Sequence, residues 1–291
     1  MRRFLVLFGL FTMFLTGCSP QEAYAPIAAT TLPVYEFTTR LCQGTDLGVA
    51  RLVNESVSCL HDYSLNVKQV KLVEKAELIV LSGAGLEDFM ADLLTDKNTL
   101  DASQGIELLE SCHEHDHEHE HDHDHSALDS HIWLSPGNAL LMAENIYHGL
   151  CQTYPQHTDQ FQANFDTLQR EILALQAYGQ QTLSGFAGAE IITFHDGFSY
   201  FAQCYDLHIL RSIEEESGAE ASAAELIDII HTVQEHDIRA IFTETNGSNS
   251  AAQIISTETG AGIFTLDMAM AGDSWFDAMY HNIDTMKEAL E

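Results

Sequence analysis

One long amphipathic segment divides the chain into two halves. From Thr158 to Leu183 apolar residues recur at helical spacing, and the glycine-containing stretch 185–188 ends the pattern. This spacing predicts a helix of roughly 35–40 Å at about 1.5 Å per residue. We therefore expect a rigid connecting helix, residues 155–186, between two lobes. The apolar residues that predict it are Phe161, Phe165, Leu168, Ile172, Leu175 and Tyr178.

Short apolar runs alternate with helical patterns on both sides of this segment. The first run begins after residue 24, and the others occupy 47–53, 77–82, 106–109, 190–194, 207–213, 239–243 and 262–266. Helical patterns occupy 34–43, 67–76, 86–94, 136–150, 221–234, 250–258 and 275–290. Alternation of this kind predicts mainly parallel sheets flanked by helices, because each strand must cross over to rejoin its sheet. The expected fold class is therefore α/β, with an N-terminal lobe at 24–154 and a C-terminal lobe at 187–291.

The first seventeen residues have the features of an export signal. Two arginines precede an apolar run, residues 4–14, and the sequence Leu-Thr-Gly-Cys ends at Cys18. This ending resembles a bacterial lipobox, which predicts removal of residues 1–17, a lipid on Cys18 and a tether at 18–23. The alternative is a signal peptide with an incidental cysteine. No later run is apolar for long enough to form a membrane helix, so the expected location is extracytoplasmic, with only a lipid anchor in the cell membrane.

A run of alternating histidines and carboxylates lies between Cys112 and Ser126. Imidazoles commonly bind zinc, copper and nickel, and the carboxylates keep the run hydrated and raise the local cation concentration. We interpret residues 112–126 as an accessory metal-collecting loop. The alternatives are a solvated low-complexity linker, or a purification tag, although tags are usually terminal and lack acidic spacers. The histidines are His113, His115, His117, His119, His121, His123 and His125.

Charge and cysteine content limit the partners of the chain. The formal net charge is −32, from 12 basic and 44 acidic residues, which argues against charge-driven binding to nucleic acid or anionic lipid. Cations are the expected electrostatic partners. An exported protein can form disulfides, yet five cysteines follow Cys18, so at least one thiol is unpaired or pairs between chains. Cys59 and Cys112 are the first choice for a bridge, because they would lie at the same end of neighbouring predicted strands.

Four polar residues lie at or just after the ends of predicted strands. They are His61, His131, His195 and Asp267, two from each lobe. Open α/β sheets present ligand groups at this edge, and three imidazoles with one carboxylate form a tetrahedral zinc set at about 2.0–2.2 Å. Each has an ordinary explanation when taken alone: a cap partner for His131, a hydrogen-bonded buried imidazole for His195, and a helix N-cap for Asp267.

Five stretches of the chain resemble the solute-binding lipoproteins of zinc and manganese ABC importers, the cluster A-I or cluster 9 family. The resemblance covers essentially the whole mature chain. In that family the first histidine follows proline, which here is Leu60, and the second lies in Asp-Pro-His, where this chain has Ser130. The stretches are Leu60-His-Asp-Tyr63, Gly83-Ala-Gly-Leu-Glu87, Asp129-Ser-His-Ile-Trp-Leu-Ser-Pro136, Thr193-Phe-His-Asp-Gly-Phe-Ser-Tyr-Phe201, and Ile241-Phe-Thr-Glu244 with Thr259 through Asp267.

The resemblance implies one metal ion in a cleft between the lobes, held by His61, His131, His195 and Asp267. Manganese-type members carry a carboxylate at the third position and zinc-type members carry histidine, so His195 favours zinc. The chemistry agrees, because manganese prefers more oxygen ligands. Glu244 is the alternative fourth ligand, or it orients a histidine from outside the metal's own ligand set.

The implied function is the capture of Zn²⁺ and its delivery to an ABC permease with its ATPase, by a monomer. No catalytic residue is expected, because a closed site with four protein ligands leaves no position for an activated water. One alternative keeps the family and changes the ion to manganese or iron. Another is a metal-binding surface adhesin or metal buffer that is not coupled to import.

Overall fold

The N-terminal half of the chain folds around a four-stranded parallel sheet. The computed structural model describes residues 25–54, 60, 63–110, 128–214, 221–245 and 249–291. The strand order is β2-β1-β3-β4, and all three pairings are parallel. The elements are β1 (Ile27–Ala29), α1 (Leu32–Leu41), β2 (Val49–Arg51), α2 (Val67–Lys75), β3 (Leu78–Leu81), α3 (Ala91–Leu94), β4 (Thr99–Asp101) and α4 (Pro136–Thr153).

The C-terminal half repeats the same strand order. Its sheet runs β6-β5-β7-β8, again with only parallel pairings. Between the halves lies α5 (Thr158–Leu183), and the predicted fold class, two α/β lobes and a long helix, is confirmed. The remaining elements are β5 (Glu190–His195), α6 (Ser199–Cys204), β6 (His208–Glu214), α7 (Ala223–Glu235), β7 (Ala240–Glu244), α8 (Ser250–Thr259), β8 (Gly262–Leu266) and α9 (Trp275–Leu290).

The connecting helix α5 covers the amphipathic stretch that predicted it, Thr158–Leu183, and 3₁₀ turns flank it at Pro155–His157 and Ser184–Phe186 within the expected 155–186. Its 26 residues span about 39 Å at 1.5 Å per residue. Its predicted apolar stripe is buried from Phe161 to Leu175. Tyr178 departs from the stripe because its side chain is exposed. Its hydroxyl donates a hydrogen bond to Asp284 on α9 at 2.5 Å. The helix therefore packs its apolar face inward and is fixed to the C-terminal helix by a polar contact at its edge.

One predicted strand is wrong. Residues 106–109 form no strand, and the fourth strand of the sheet is instead β4, whose register pairs Thr99 with Ile79. The apolar residues of 106–109 pack against the core without joining a sheet ladder. The strand β4 carries a single apolar residue, Leu100, so it has no apolar run that sequence could reveal. The predicted helix 86–94 also begins later, with a 3₁₀ turn at Asp88–Met90 before α3.

The last helix, α9, joins the two lobes on one side. Its first residue, Trp275, packs edge-to-face on Phe37 of α1 at 5.1 Å between ring centroids, and its backbone N–H donates to Glu36 at 2.5 Å. The guanidinium of Arg40 lies 4.4 Å from the ring centroid of Phe276. Buried apolar residues of both lobes form one continuous core cluster. The lobes are therefore held together by packing as well as by α5.

Several sequence predictions lie outside the described residues. These are the export signal 1–17, the lipid site Cys18, the tether 18–23, His61, the loop 112–126 and the bridge between Cys59 and Cys112. Among the residues that are described, no helix is both long and apolar enough to cross a membrane. Cys42, Cys151 and Cys204 are free thiols.

A buried carboxylate closes the edge of the N-terminal sheet where β1 and β3 end. Glu87 accepts hydrogen bonds from the hydroxyl of Thr30 at 2.6 Å and from the backbone N–H groups of Ser82 at 2.8 Å and Gly83 at 3.0 Å. Burial raises the pKa of Glu87 to about 7, although these three bonds oppose the rise, and the charge of Asp101 raises it slightly further. The folded chain therefore retains a proton that the unfolded chain releases.

This raised pKa predicts a loss of stability with rising pH. The contribution of Glu87 is fully present below pH 4.5 and is lost as the pH rises to 7, by about 1.4 kcal/mol per unit of pKa difference. Glu87→Gln removes the titrating carboxyl group. The free energy of unfolding should therefore fall less between pH 4.5 and pH 7 in this variant than in the unmodified chain. The measurement is chemical unfolding of metal-free protein at pH 4.5 and pH 7. The exposed Glu74→Gln is the matched control, and equal pH dependence in Glu87→Gln and the unmodified chain would contradict the prediction.

Candidate metal centre

Two of the predicted ligands, His131 and His195, lie against each other. Their rings are nearly perpendicular, at 86°, with centroids 5.4 Å apart, and the residues are only 3% and 5% exposed. His195 is the last residue of β5, as expected from sequence. His131 does not follow a sheet strand, which corrects the prediction, and instead precedes the 3₁₀ turn Ile132–Leu134. The structure therefore brings together imidazoles that are 64 residues apart in sequence and come from both halves of the chain.

Asp129 fixes the orientation of His131. Its Oδ1 atom accepts from the backbone N–H of His131 at 2.8 Å and lies 2.8 Å from the ring atom Nδ1. Because an ionised carboxylate can only accept, Nδ1 carries the proton and Nε2 keeps the lone pair that can bind a metal. Carboxylates commonly orient metal-binding histidines in this way. Asp129 belongs to one of the motifs that carry the family resemblance but had no predicted role, although its position two residues before His131 was a usable signal.

The ends of three adjacent strands line up beside His195. The sheet order places β7 next to β5 and β8 next to β7, with Glu244 paired to Leu266. Glu244 is the last residue of β7 and is only 4% exposed. It lies on the strand next to β5, which ends at His195. Asp267 follows β8 directly. These positions place two carboxylates and one imidazole along a single edge of the C-terminal sheet.

Asp267 is held by its backbone and by one carboxylate oxygen. Asn282 of α9 accepts from its N–H and donates to its carbonyl, both at 2.7 Å. The Oδ1 atom of Asp267 accepts from the N–H of Ala269 at 2.7 Å. Asp267 is not the helix N-cap that its position could have meant, since Ser274 caps α9. This arrangement directs one oxygen into its own turn and leaves Oδ2 as the atom that could reach a cation.

Gly197 allows the histidines and the turn after β8 to meet. A Cβ atom at Gly197 would lie 3.2 Å from Cδ2 of His195, 3.3 Å from Cε1 of His131 and 2.6 Å from Cε of Met268. Met268 directly follows Asp267, so the turn after β8 borders the same space as the imidazole rings of His131 and His195. A side chain at position 197 would fill that space.

Two buried tryptophans tie the turns that carry His131 and Asp267. The indole N–H of Trp133 donates to the carbonyl of Met268 at 2.8 Å, and that of Trp275 donates to the carbonyl of Trp133 at 3.1 Å. The ring of Trp133 also contacts His131 edge-on, at 5.4 Å between centroids. Both indole side chains are fully buried. Sequence reasoning missed this link, because nothing in the spacing of the two tryptophans predicts which carbonyl each one finds.

The described residues contain only part of the predicted ligand set. Within them, no three His, Cys, Asp or Glu side chains are grouped closely enough to hold a metal ion, so His131, His195, Asp267 and Glu244 do not by themselves form such a site. His61 lies outside the described residues, but its flanks are anchored. Leu60 is fully buried, and the Tyr63 hydroxyl accepts from Gln69 at 2.6 Å. The complete four-ligand set stays a prediction.

The seven histidines of the loop also lie outside the described residues, although both ends of that segment are placed. Glu110 and Leu128 form an isolated antiparallel bridge, and the N–H of Asp129 donates to the carbonyl of Leu109 at 2.9 Å. The chain therefore rejoins the described fold at Leu128, three residues before His131.

Comparison with known proteins identifies relatives over nearly the whole chain. The family model described as ZnuA, zinc-uptake complex component A, periplasmic, matches residues 27–289. The zinc-binding lipoprotein AdcA of Streptococcus pneumoniae serotype 4 is 28% identical over 305 residues, which cover 99% of this chain and 60% of AdcA. The chain thus spans about three fifths of that relative.

Two solved structures have the same fold. A crystal structure of ZnuA superposes with a TM-score of 0.78 at 28% identity, covering 92% of this chain and 100% of that one. A ZnuA deletion mutant with zinc bound superposes with a TM-score of 0.77, also at 28% identity, covering 92% and 99%.

The close approach at Gly197 predicts that added volume there will weaken metal binding. In Gly197→Ala the new methyl group must displace Met268 or separate the two imidazoles, so affinity for Zn²⁺ should fall by about 10-fold or more, as for other changes beside metal ligands. Competition with a chelator measures this. Gly185→Ala is the matched control, because its Cβ would meet no atom within 4 Å. Unchanged affinity in Gly197→Ala would show that the metal binds elsewhere.

Proposed function

The chain belongs to the ZnuA family, the periplasmic component A of zinc-uptake complexes, and we propose that it captures Zn²⁺ between its lobes and delivers it to a membrane permease with its ATPase. The family is a metal-binding transport component and not an enzyme. In this function Zn²⁺ is cargo. The proposed unit is a monomer that contacts the permease and binds no nucleic acid.

The pairing of His131 with His195 carries this proposal. A buried contact between two imidazoles from opposite halves of the chain is what a site between two lobes requires, and Asp129 orients one of them for binding. We propose that His61 and Asp267 complete the ligand set, with Glu244 as the alternative to Asp267. Metal binding would then draw on both lobes, because removing either half would remove two ligands.

The choice of zinc rests on ligand chemistry. Three imidazoles and one carboxylate suit a four-coordinate borderline cation, whereas manganese prefers sites richer in oxygen. Supporting relatives are AdcA, which is named zinc-binding, and the ZnuA variant that was solved with zinc. A manganese- or iron-binding member of the same family is the alternative.

The proposed location is the outer face of the cell membrane. We propose that residues 1–17 are removed, that Cys18 carries the lipid, and that 18–23 form the tether. The name of AdcA as a lipoprotein supports this. The proposed lobes are 24–154 and 187–291 around the helix 155–186, and the loop 112–126 would collect cations beside the cleft.

Removal of a proposed ligand should abolish tight zinc binding. We expect His195→Ala to weaken Zn²⁺ binding by more than about 100-fold, beyond the effect of changes outside the ligand set. The measurement is chelator competition on metal-stripped protein in which the seven loop histidines are replaced by serine. This replacement removes the loop imidazoles, so the assay reports on the proposed cleft ligands. The control is His148→Ala, an exposed histidine on α4. Tighter binding of Mn²⁺ than of Zn²⁺ to the parent protein would favour the alternative ion.

Import is tested in cells. A strain that lacks this chain should grow poorly in zinc-depleted medium and recover with added zinc, because high-affinity capture limits uptake when zinc is scarce. Complementation with the parent chain should restore growth, and complementation with His195→Ala should not. Normal growth of the deletion strain under zinc depletion would instead favour an adhesin or a metal buffer.

A further inference from the structure

Tyr200 joins the two halves of the chain beside the metal centre. It lies on α6, and its hydroxyl donates to the carbonyl of Asp129 at 2.8 Å and accepts from the backbone N–H of Leu109 at 3.0 Å. The residue is only 2% exposed. Loss of the hydroxyl would leave two backbone groups without this partner in a region of low dielectric, where an unmade hydrogen bond is costly.

Three hydrogen bonds form a closed ring at this point. The N–H of Asp129 donates to the carbonyl of Leu109, and the Tyr200 hydroxyl connects the N–H of Leu109 to the carbonyl of Asp129. Asp129 in turn holds the backbone and ring of His131. The position of His131 therefore depends on a residue of the opposite lobe.

The same stretch of the C-terminal lobe acts on His131 directly, through His195, and indirectly, through Asp129. At its start, the ring of His195 packs perpendicular to that of His131. At its end, Tyr200 holds the carbonyl of Asp129, and between them Gly197 gives both rings room. One short turn thus supplies one imidazole and positions the other.

We propose that Tyr200 is a positioning residue of the metal centre, whose hydroxyl sets the separation of His131 and His195 and thereby the affinity and coordination geometry for zinc. This inference rests on the proposed function, because it takes both histidines to be ligands. It assigns Tyr200 no direct contact with the metal.

The hydroxyl keeps its proton across the physiological range. Burial is the main cause that raises the pKa of Tyr200 to about 12; the N–H of Leu109 opposes the rise and the charge of Asp129 adds to it. The donor to the carbonyl of Asp129 is therefore present throughout the physiological pH range, as a fixed support requires.

Tyr200→Phe tests the proposal, and the chain supplies a matched control. Tyr205 is also buried, at 5% exposure, and its hydroxyl has no hydrogen-bond partner among the described residues, so Tyr205→Phe removes a buried hydroxyl without breaking a bond. Both variants are made in the full chain with the seven loop histidines replaced by serine. The measurements are chelator competition with Zn²⁺ and the visible absorption of Co²⁺ bound in its place, which reports coordination geometry.

We expect Tyr200→Phe to weaken Zn²⁺ binding by about 10-fold or more, in the range of losses caused by removing supports behind metal ligands. The Co²⁺ bands should weaken as well, because a loosened pair of imidazoles admits water. Tyr205→Phe should match the parent in both measurements. The hydrogen-exchange rate of the Leu109 amide should rise only in Tyr200→Phe, which locates the change at this hydrogen bond. Thermal unfolding of each variant checks that the fold is intact.

Two results would overturn the proposal: parent-like affinity and Co²⁺ spectrum in Tyr200→Phe, or equal losses in both variants, which would indicate general packing. Failure of the proposed function is a separate result. It would appear as tight zinc binding in His195→Ala in the same assay, whatever Tyr200→Phe does.

Discussion

The structure depends on the parallel direction of its strands. Within each sheet every pairing is parallel, so all carboxyl ends collect at one edge and all crossovers must be made by helices. That edge receives His195, Glu244 and Asp267 in the C-terminal lobe, and Thr30, Ser82 and Glu87 in the N-terminal lobe. A helix of about 39 Å then fixes where one edge lies relative to the other. Sheet topology thus places the C-terminal part of the site, whereas the turn before Ile132–Leu134 places His131.

Buried polar contacts, in addition to apolar packing, determine how the halves meet. The indoles of Trp133 and Trp275 and the hydroxyl of Tyr200 each bond to a backbone group of the opposite half, at or next to a turn of the site. The amide of Asn282 holds the turn after β8 within the C-terminal half. Such bonds add little net stability, but breaking one of them is costly when the groups stay buried. They favour one arrangement of the turns over others of similar apolar burial. The positions of His131 and His195 therefore depend on hydrogen-bond partners that are far away in sequence.

Much of the fold could be predicted from local pattern, because long amphipathic helices and apolar strands have strong periodicities. The bounds of β8 and α9 are those expected, and α5 covers the amphipathic stretch from Thr158 to Leu183 that predicted it. The strand β4 could not be predicted, since a short edge strand with one apolar residue has no periodicity to detect. At the site, His195 followed from its place at the end of a strand. The roles of Asp129, Gly197 and Tyr200 did not, because they depend on contacts between segments that only tertiary packing brings together.

The bridge between Glu110 and Leu128 has a consequence for how such a chain can change. The bridge holds Glu110 and Leu128 next to each other, so the two ends between which residues 111–127 lie are already joined. For a flexible connection between two joined ends, each doubling in length costs only about 0.6 kcal/mol of loop-closure entropy. Insertions and deletions at this point of the sequence would therefore cost the fold little, whereas the turn beyond Leu128 is held by buried contacts. If residues 112–126 collect cations as proposed, that capacity could change in evolution without altering the geometry of the centre beside it.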